Sequence, residues 1–177
     1  MADEGDRGES SSDSELVPRM PVEEDLVLLC RRLNELGAAY VVVGGFAIIY
    51  GGFARTTTDI DLVLATDSEN EALVYRALEI FPDKAVRELK PGEVAQYVVV
   101  RVADEVVVDL MRSASGIEYA EAAKDVVIRE VQGVPIPFAS PRLLWRMKAR
   151  THRPKDESDL IFLRGYFAAH GEKPPED

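Results

Sequence analysis

The stretch Tyr40-Val41-Val42-Val43-Gly44-Gly45-Phe46-Ala47, joined by Asp59-Ile60-Asp61-Leu62-Val63-Leu64 with thirteen residues between Gly45 and Asp59, decides the fold. Its first four residues are a short continuous apolar run, the pattern of a strand buried on both faces, and Gly44-Gly45 ends it. A short helix over Phe46 to Tyr50 is expected next, closed by Gly51-Gly52. The second strand, Thr58 to Ala65, places Ile60, Leu62 and Leu64 on one face and Asp59, Asp61 and Val63 on the other. Two carboxylates separated by one residue on a strand project from the same side, so both can reach one or two cations without distorting the backbone. On an otherwise apolar strand their repulsion demands a compensating cation or a retained proton. Mg²⁺ held by carboxylates and substrate phosphates is the common resolution.

Working outward, Gly44 and Gly45 complete the other half of such a site. A chain that leaves a strand through two glycines into a helix can bring backbone N–H groups against an anion. Asp109 ends the apolar run Val106-Val107-Val108, where a carboxylate is again out of keeping with its neighbours. If its strand lies beside that of Asp59, it can bind a second metal ion and accept a proton from an attacking hydroxyl. Each feature alone has a plainer explanation, since Asp-x-Asp and Gly-Gly are common in turns. Their order, each at a strand terminus, is what favours a site.

The rest of the chain supplies the frame. Leu26, Leu29, Cys30, Leu33 and Leu36 recur at helical spacing from Val22 to Leu36, with Gly37 as a stop. Ser68 with Glu71 suggests a capping box for a helix reaching Ile80. Val94 to Val102 and Glu105 to Met111 read as strands joined by a hairpin at Ala103-Asp104, and a short helix follows from Ile117 to Lys124. A strand pair, Val126 to Val131 and Val134 to Phe138, turns at Gln132-Gly133. Ser140-Pro141 opens a helix to about Arg150, and another runs from Lys155-Asp156 to His170. The class is α+β, a mixed β-sheet with flanking helices. The expected organisation is an unstructured acidic tail over 1–20, one domain over 21–170 including the helix pair 141–170, and a second tail over 171–177.

Charge is uneven along the 177 residues. Of the net −11, residues 1–25 carry −7 from nine acids and two bases, and the residues after Gly171 carry −2, leaving about −2 between them. The domain is nearly neutral, which neither requires nor excludes RNA. The single Cys30 sits in an apolar pattern, the place of a small buried hydrophobe, and has no partner for a disulfide. Neither a membrane-length apolar run of ~18 residues nor a basic leader is seen, so a cytoplasmic protein is expected. His152 and His170 show no zinc-ligand spacing. The basic stretch from Arg142 to Lys155 has no acid before Asp156, and Arg142, Arg146 and Arg150 share a helix stripe that Lys148 does not.

Val43-Gly44-Gly45-Phe46-Ala47, then Gly51, Arg55, Thr57 and Asp59-Ile60-Asp61-Leu62, resembles the polymerase-beta nucleotidyltransferase superfamily, and looks closest to the branch of abortive-infection toxins. The segment Leu143 to Lys148, with Arg153-Pro154-Lys155-Asp156 and Asp159-Leu160, is similar to the paired helices of that branch. The family places Gly or Ser at the second signature position; Gly45 here lacks the hydroxyl. The resemblance implies a minimal nucleotidyltransferase fold with Asp59, Asp61 and Asp109 as metal ligands and catalytic residues. It further implies that Gly44, Gly45, Arg55, Thr57, Lys148 and Lys155 bind the nucleotide. Mg²⁺ or Mn²⁺ would be the cofactor and a nucleoside triphosphate such as ATP the substrate. The acceptor hydroxyl, on RNA, protein or a small molecule, stays open, and an antitoxin protein is the implied partner. The alternative is a nucleotide-binding or interaction module that keeps the fold without turnover.

Overall fold

The computed structural model describes residues 17–176. Helix α1 (Glu23–Leu36) buries the stripe Leu26, Leu29, Cys30 and Leu33 and stops at Gly37, whose φ of 72° favours a residue without a Cβ. Strand β1 (Tyr40–Val43) is buried along its whole length and passes into α2 (Gly44–Tyr50). That helix therefore begins at the glycines, two residues ahead of the Phe46 start expected from sequence. Strand β2 (Asp59–Leu64) and helix α3 (Ser68–Leu78) follow. The Asn70 side chain joins them to β1: its Oδ1 accepts from the Ala39 N–H at 2.7 Å, and its Nδ2 donates to the carbonyls of Ala39 and Ala65.

A 3₁₀ turn at Ala85–Glu88 and a single helical turn, α4 (Glu93–Gln96), lead to β3 (Val99–Ala103) and β4 (Val107–Met111). The expected strand from Val94 is thus helical at its start. The cause is Glu71, whose Oε1 accepts the backbone N–H groups of Gly92 at 3.0 Å and Val94 at 3.1 Å. Glu71 is consequently unavailable for the expected capping box, and Asp67 caps α3 instead by accepting from the Asn70 N–H. The small ribbon β5 (Ser113–Ala114) and β6 (Ile117–Glu118) precedes α5 (Tyr119–Ala122), shorter than the helix expected there. The pair β7 (Val126–Val131) and β8 (Val134–Ala139) turns through Gln132 and Gly133, both at positive φ, as a two-residue hairpin requires. Helix α6 (Pro141–Ala149) is capped by Ser140, and α7 (Glu157–Ala169) completes the chain.

The six-stranded sheet has the order β3-β4-β2-β1-β8-β7 and is mixed: β2–β4 and β1–β8 are parallel, the other pairs antiparallel. Helices α1 and α3 pack together, while α6 contacts both α2 and α7. Residues 1–16 of the expected acidic tail, and Asp177, lie outside the described residues. Within the remainder, Arg19 pairs with Asp25 at 2.7 Å and with Glu105 at 3.1 Å, and Glu172 pairs with Arg142 at 3.4 Å. The ends of the two expected tails nearest the domain are therefore tied to it. Among the described residues, no helix is long and apolar enough to cross a membrane.

Candidate active site

The parallel pairing of β2 with β4 sets Asp61 opposite Asp109 in register, so both side chains leave the sheet on one face, and Asp59 joins them one pleat away. Each of the three offers a carboxylate oxygen within 4.8 Å of those of the other two. This is the convergence that the sequence left conditional on strand order. Burial, then the negative charges of Asp59 and Asp109, push the Asp61 carboxyl up to about 7 from its usual 3.8, with Lys148 pulling the other way.

The glycines explain how the chain passes so close to the acids. Gly44 has φ 63°, and a Cβ built on it would stand 2.2 Å from Oδ2 of Asp61. A Cβ on Gly45 would stand 2.3 Å from Oγ1 of Thr57. Neither position tolerates a side chain without movement of its neighbour, so both glycines are required by close approach. The Thr57 hydroxyl fills the space beside Gly45, and donates to the Asp59 backbone carbonyl at 3.1 Å.

A cavity of about 520 Å³ opens above the acids. All nine residues singled out from the sequence line it: Asp59, Asp61 and Asp109 at the sheet, Gly44 and Gly45 at the start of α2, Arg55 and Thr57 before β2, and Lys148 and Lys155 from the C-terminal helices. Their partners sort them. Lys148 is buried, its Nζ 2.8 Å from Asp156 Oδ1 and 3.0 Å from Asp159 Oδ2. Burial pushes the Asp156 carboxyl up, but hydrogen bonds from Lys148, Thr151 and Arg153 outweigh it and hold the group below the usual range. Arg55, expected to bind the nucleotide, donates from Nη2 to Asp159 Oδ2 at 3.0 Å. Lys155 is exposed at the cavity wall and makes no ion pair among the described residues.

One residue of the site was missed. Arg101 on β3 stands opposite Asp109 across the antiparallel β3–β4 pair. Its Nε donates to Asp109 Oδ1 and its Nη2 to Asp109 Oδ2, both at 2.8 Å, and Nη2 also lies 3.4 Å from Asp59 Oδ2. The alternation of β3, with Val100 and Val102 buried and Arg101 exposed, was a usable signal. The expected two-residue turn at Ala103-Asp104 hid it, because that turn would set Arg101 opposite Val106. The hairpin actually turns over Asp104 to Val106, where the Asp104 carboxylate accepts the N–H groups of Asp83, Ala85 and Glu105.

No family model and no curated protein matches the chain. Solved structures do. The lincosamide antibiotic adenylyltransferase LnuA, bound to lincomycin, matches with a TM-score of 0.54 and 12% identity over 82% of this chain and 98% of that one. ANT(2'')-Ia in complex with adenylyl-2''-tobramycin matches with a TM-score of 0.52 and 16% identity over 84% and 90% of the two chains. An antigenic nucleotidyltransferase-like protein from Paracoccidioides brasiliensis has a TM-score of 0.48 and 18% identity over 84% and 78%. At these identities the likeness is one of fold: the mixed six-stranded sheet with its flanking helices is a minimal nucleotidyltransferase fold.

Proposed function

We propose that this chain is a metal-dependent nucleotidyltransferase, moving a nucleoside monophosphate from a nucleoside triphosphate to an acceptor hydroxyl with release of pyrophosphate. The observation that carries the reading is the meeting of Asp59, Asp61 and Asp109 at the head of a cavity within 4.8 Å of one another, on a sheet of the matching fold. The donor set fits hard divalent cations, because it is all carboxylate oxygen. Asp59, Asp61 and Asp109 would hold Mg²⁺ or Mn²⁺, which supplies charge stabilisation to the transferring phosphoryl group.

The chain's own residues do the rest. Gly44 and Gly45 let the backbone approach the acids closely enough for its N–H groups to meet the triphosphate that shares them. Lys155, exposed on the cavity wall, is placed to meet a phosphate. Lys148 and Arg55 are engaged with Asp156 and Asp159, so they act on the nucleotide by fixing that wall. Asp109 is the acid on which the acceptor's proton is expected to land. Both its oxygens already accept from Arg101, so the guanidinium competes with that proton for Asp109.

The acceptor is a hydroxyl on RNA, protein or a small molecule. The structural neighbours hold lincomycin and an adenylylated tobramycin, which supports a small molecule. A toxin role with an antitoxin partner is supported by the sequence resemblance alone. Incubation with NTP labelled at the α-phosphate, Mg²⁺ and a panel of total RNA, lysate protein and antibiotic alcohols tests the reading. Transfer of label that Asp61→Ala abolishes is expected; nucleotide binding without transfer to any acceptor would favour the module without turnover.

A further inference from the structure

We propose that Arg101 is a displaceable counter-ion, clamping the acid triad until a divalent cation is bound and then turning its guanidinium onto the substrate's phosphates. The inference rests on the metal-dependent reading above and adds to it the order of events at the same site.

Four observations carry it. The clamp is a complete fork, with both oxygens of Asp109 engaged at 2.8 Å and a third contact to Asp59 at 3.4 Å, so Arg101 neutralises the carboxylates that a cation would need. The clamp is nevertheless reachable from solvent, because the Arg101 side chain is 61% exposed while Asp109 is 10% exposed, and a doubly charged cation on three carboxylates outcompetes a singly charged guanidinium. There is also room to move, since β3 is an edge strand and the residues flanking Arg101 on its face, Val99 and Ala103, are small.

The fourth observation is selective. The other basic residues lining the cavity behave differently. Lys148 and Arg153 are bound to Asp156, and Arg55 to Asp159, acids that take no part in the triad. Loading the triad leaves those pairs intact. Arg101 alone among these has partners that the cation would claim, so it alone is released by loading, within the cavity where a triphosphate would lie. Cation entry, exposure of Asp109 and delivery of a positive charge to phosphate thereby become one event.

The test is Mn²⁺ binding, followed by electron paramagnetic resonance on the full chain, with and without a non-hydrolysable NTP analogue. Arg101→Gln is expected to tighten nucleotide-free Mn²⁺ binding by about tenfold and to weaken Mn²⁺-dependent analogue binding by about tenfold, the scale of one charge-assisted contact. Arg101→Lys, which keeps the charge but loses the fork, is expected to tighten Mn²⁺ binding while retaining most analogue affinity. Unchanged or weaker Mn²⁺ binding in Arg101→Gln overturns the clamp, and so does wild-type Mn²⁺ affinity in Arg101→Lys, which would show that charge alone matters. Unchanged analogue affinity in Arg101→Gln overturns the delivery of the guanidinium to phosphate. Asp61→Asn separates this proposal from the one beneath it. If wild type and Arg101→Gln bind Mn²⁺ no better than Asp61→Asn, the metal site itself is refuted, and the clamp with it.

Discussion

Asp61 and Asp109 stand opposite one another in register on the parallel strands β2 and β4. Neither strand alone brings three acids together; the pairing does. Replacing either by Asn keeps the shape and removes one ligand charge. Asp61→Asn and Asp109→Asn are each expected to lower nucleotidyl transfer by roughly 10² or more, with the circular dichroism spectrum unchanged. Initial rates of label transfer check this; a loss of less than tenfold in either variant would mean that the acids do not act as a set.

Much of this site was legible in the sequence because its parts are local. Two acids at i and i+2 on a strand must share a face, and two glycines between a strand and a helix announce close approach. What was not legible depends on distant partners. Glu71 turns Val94 out of the expected strand by accepting its N–H group and that of Gly92, and nothing near Val94 records that. Arg101 meets Asp109 only through the hairpin register, which the buried Asp104 fixes by capturing N–H groups from Asp83 and Ala85. Arg55 stands four residues before Asp59, yet Asp159, 104 residues away, takes it.

The raised Asp61 carboxyl makes stability depend on pH with a definite sign. Burial and the charges of Asp59 and Asp109 hold it at about 7 in the folded protein against 3.8 in an unfolded chain. Between those values the folded state binds the extra proton, so the contribution of Asp61 to metal-free stability falls as pH rises from about 4 to about 7 and is level above that. Cation affinity runs the opposite way, rising over the same interval, because the ligand must be deprotonated. Urea unfolding in EDTA across pH 5 to 8 should show the decline in wild type and a flatter profile in Asp61→Asn. Equal slopes in the two proteins would contradict the assignment.

Gly44 and Gly45 are predicted to be irreplaceable for different reasons. Gly44→Ala meets both a positive φ and the Asp61 carboxylate at 2.2 Å, and is expected to lose about 2–4 kcal/mol together with metal binding. Gly45→Ser would restore the hydroxyl common at this signature position but collides with Thr57 Oγ1, at 2.3 Å from the new Cβ. Thr57 Cβ also stands 2.6 Å from that position, so pairing it with Thr57→Gly, which removes both atoms, clears the space. The double variant should recover most of the stability that Gly45→Ser loses, as measured by thermal unfolding; no recovery would show that Thr57 is not the obstacle.

Lys148 is predicted to be as important to stability as to the cavity. It sits buried between Asp156 and Asp159, so Lys148→Met leaves two carboxylates facing each other with only Arg153 and Arg55 to compensate. Breaking such a buried pair by removing one partner costs about 3–5 kcal/mol, a fall in Tm of roughly 6–20 °C for a chain of this size. Calorimetry decides it; a shift under about 2 °C would place Lys148 outside the structural network.

Anomalous diffraction from crystals grown with Mn²⁺ and a non-hydrolysable NTP tests most directly whether Asp59, Asp61 and Asp109 jointly hold a divalent cation against a bound triphosphate. A Mn²⁺ peak within coordination distance of all three carboxylates, with Arg101 swung away from Asp109, is the expected result. A peak that touches none of them, or a nucleotide bound elsewhere while Arg101 still clamps Asp109, would contradict it.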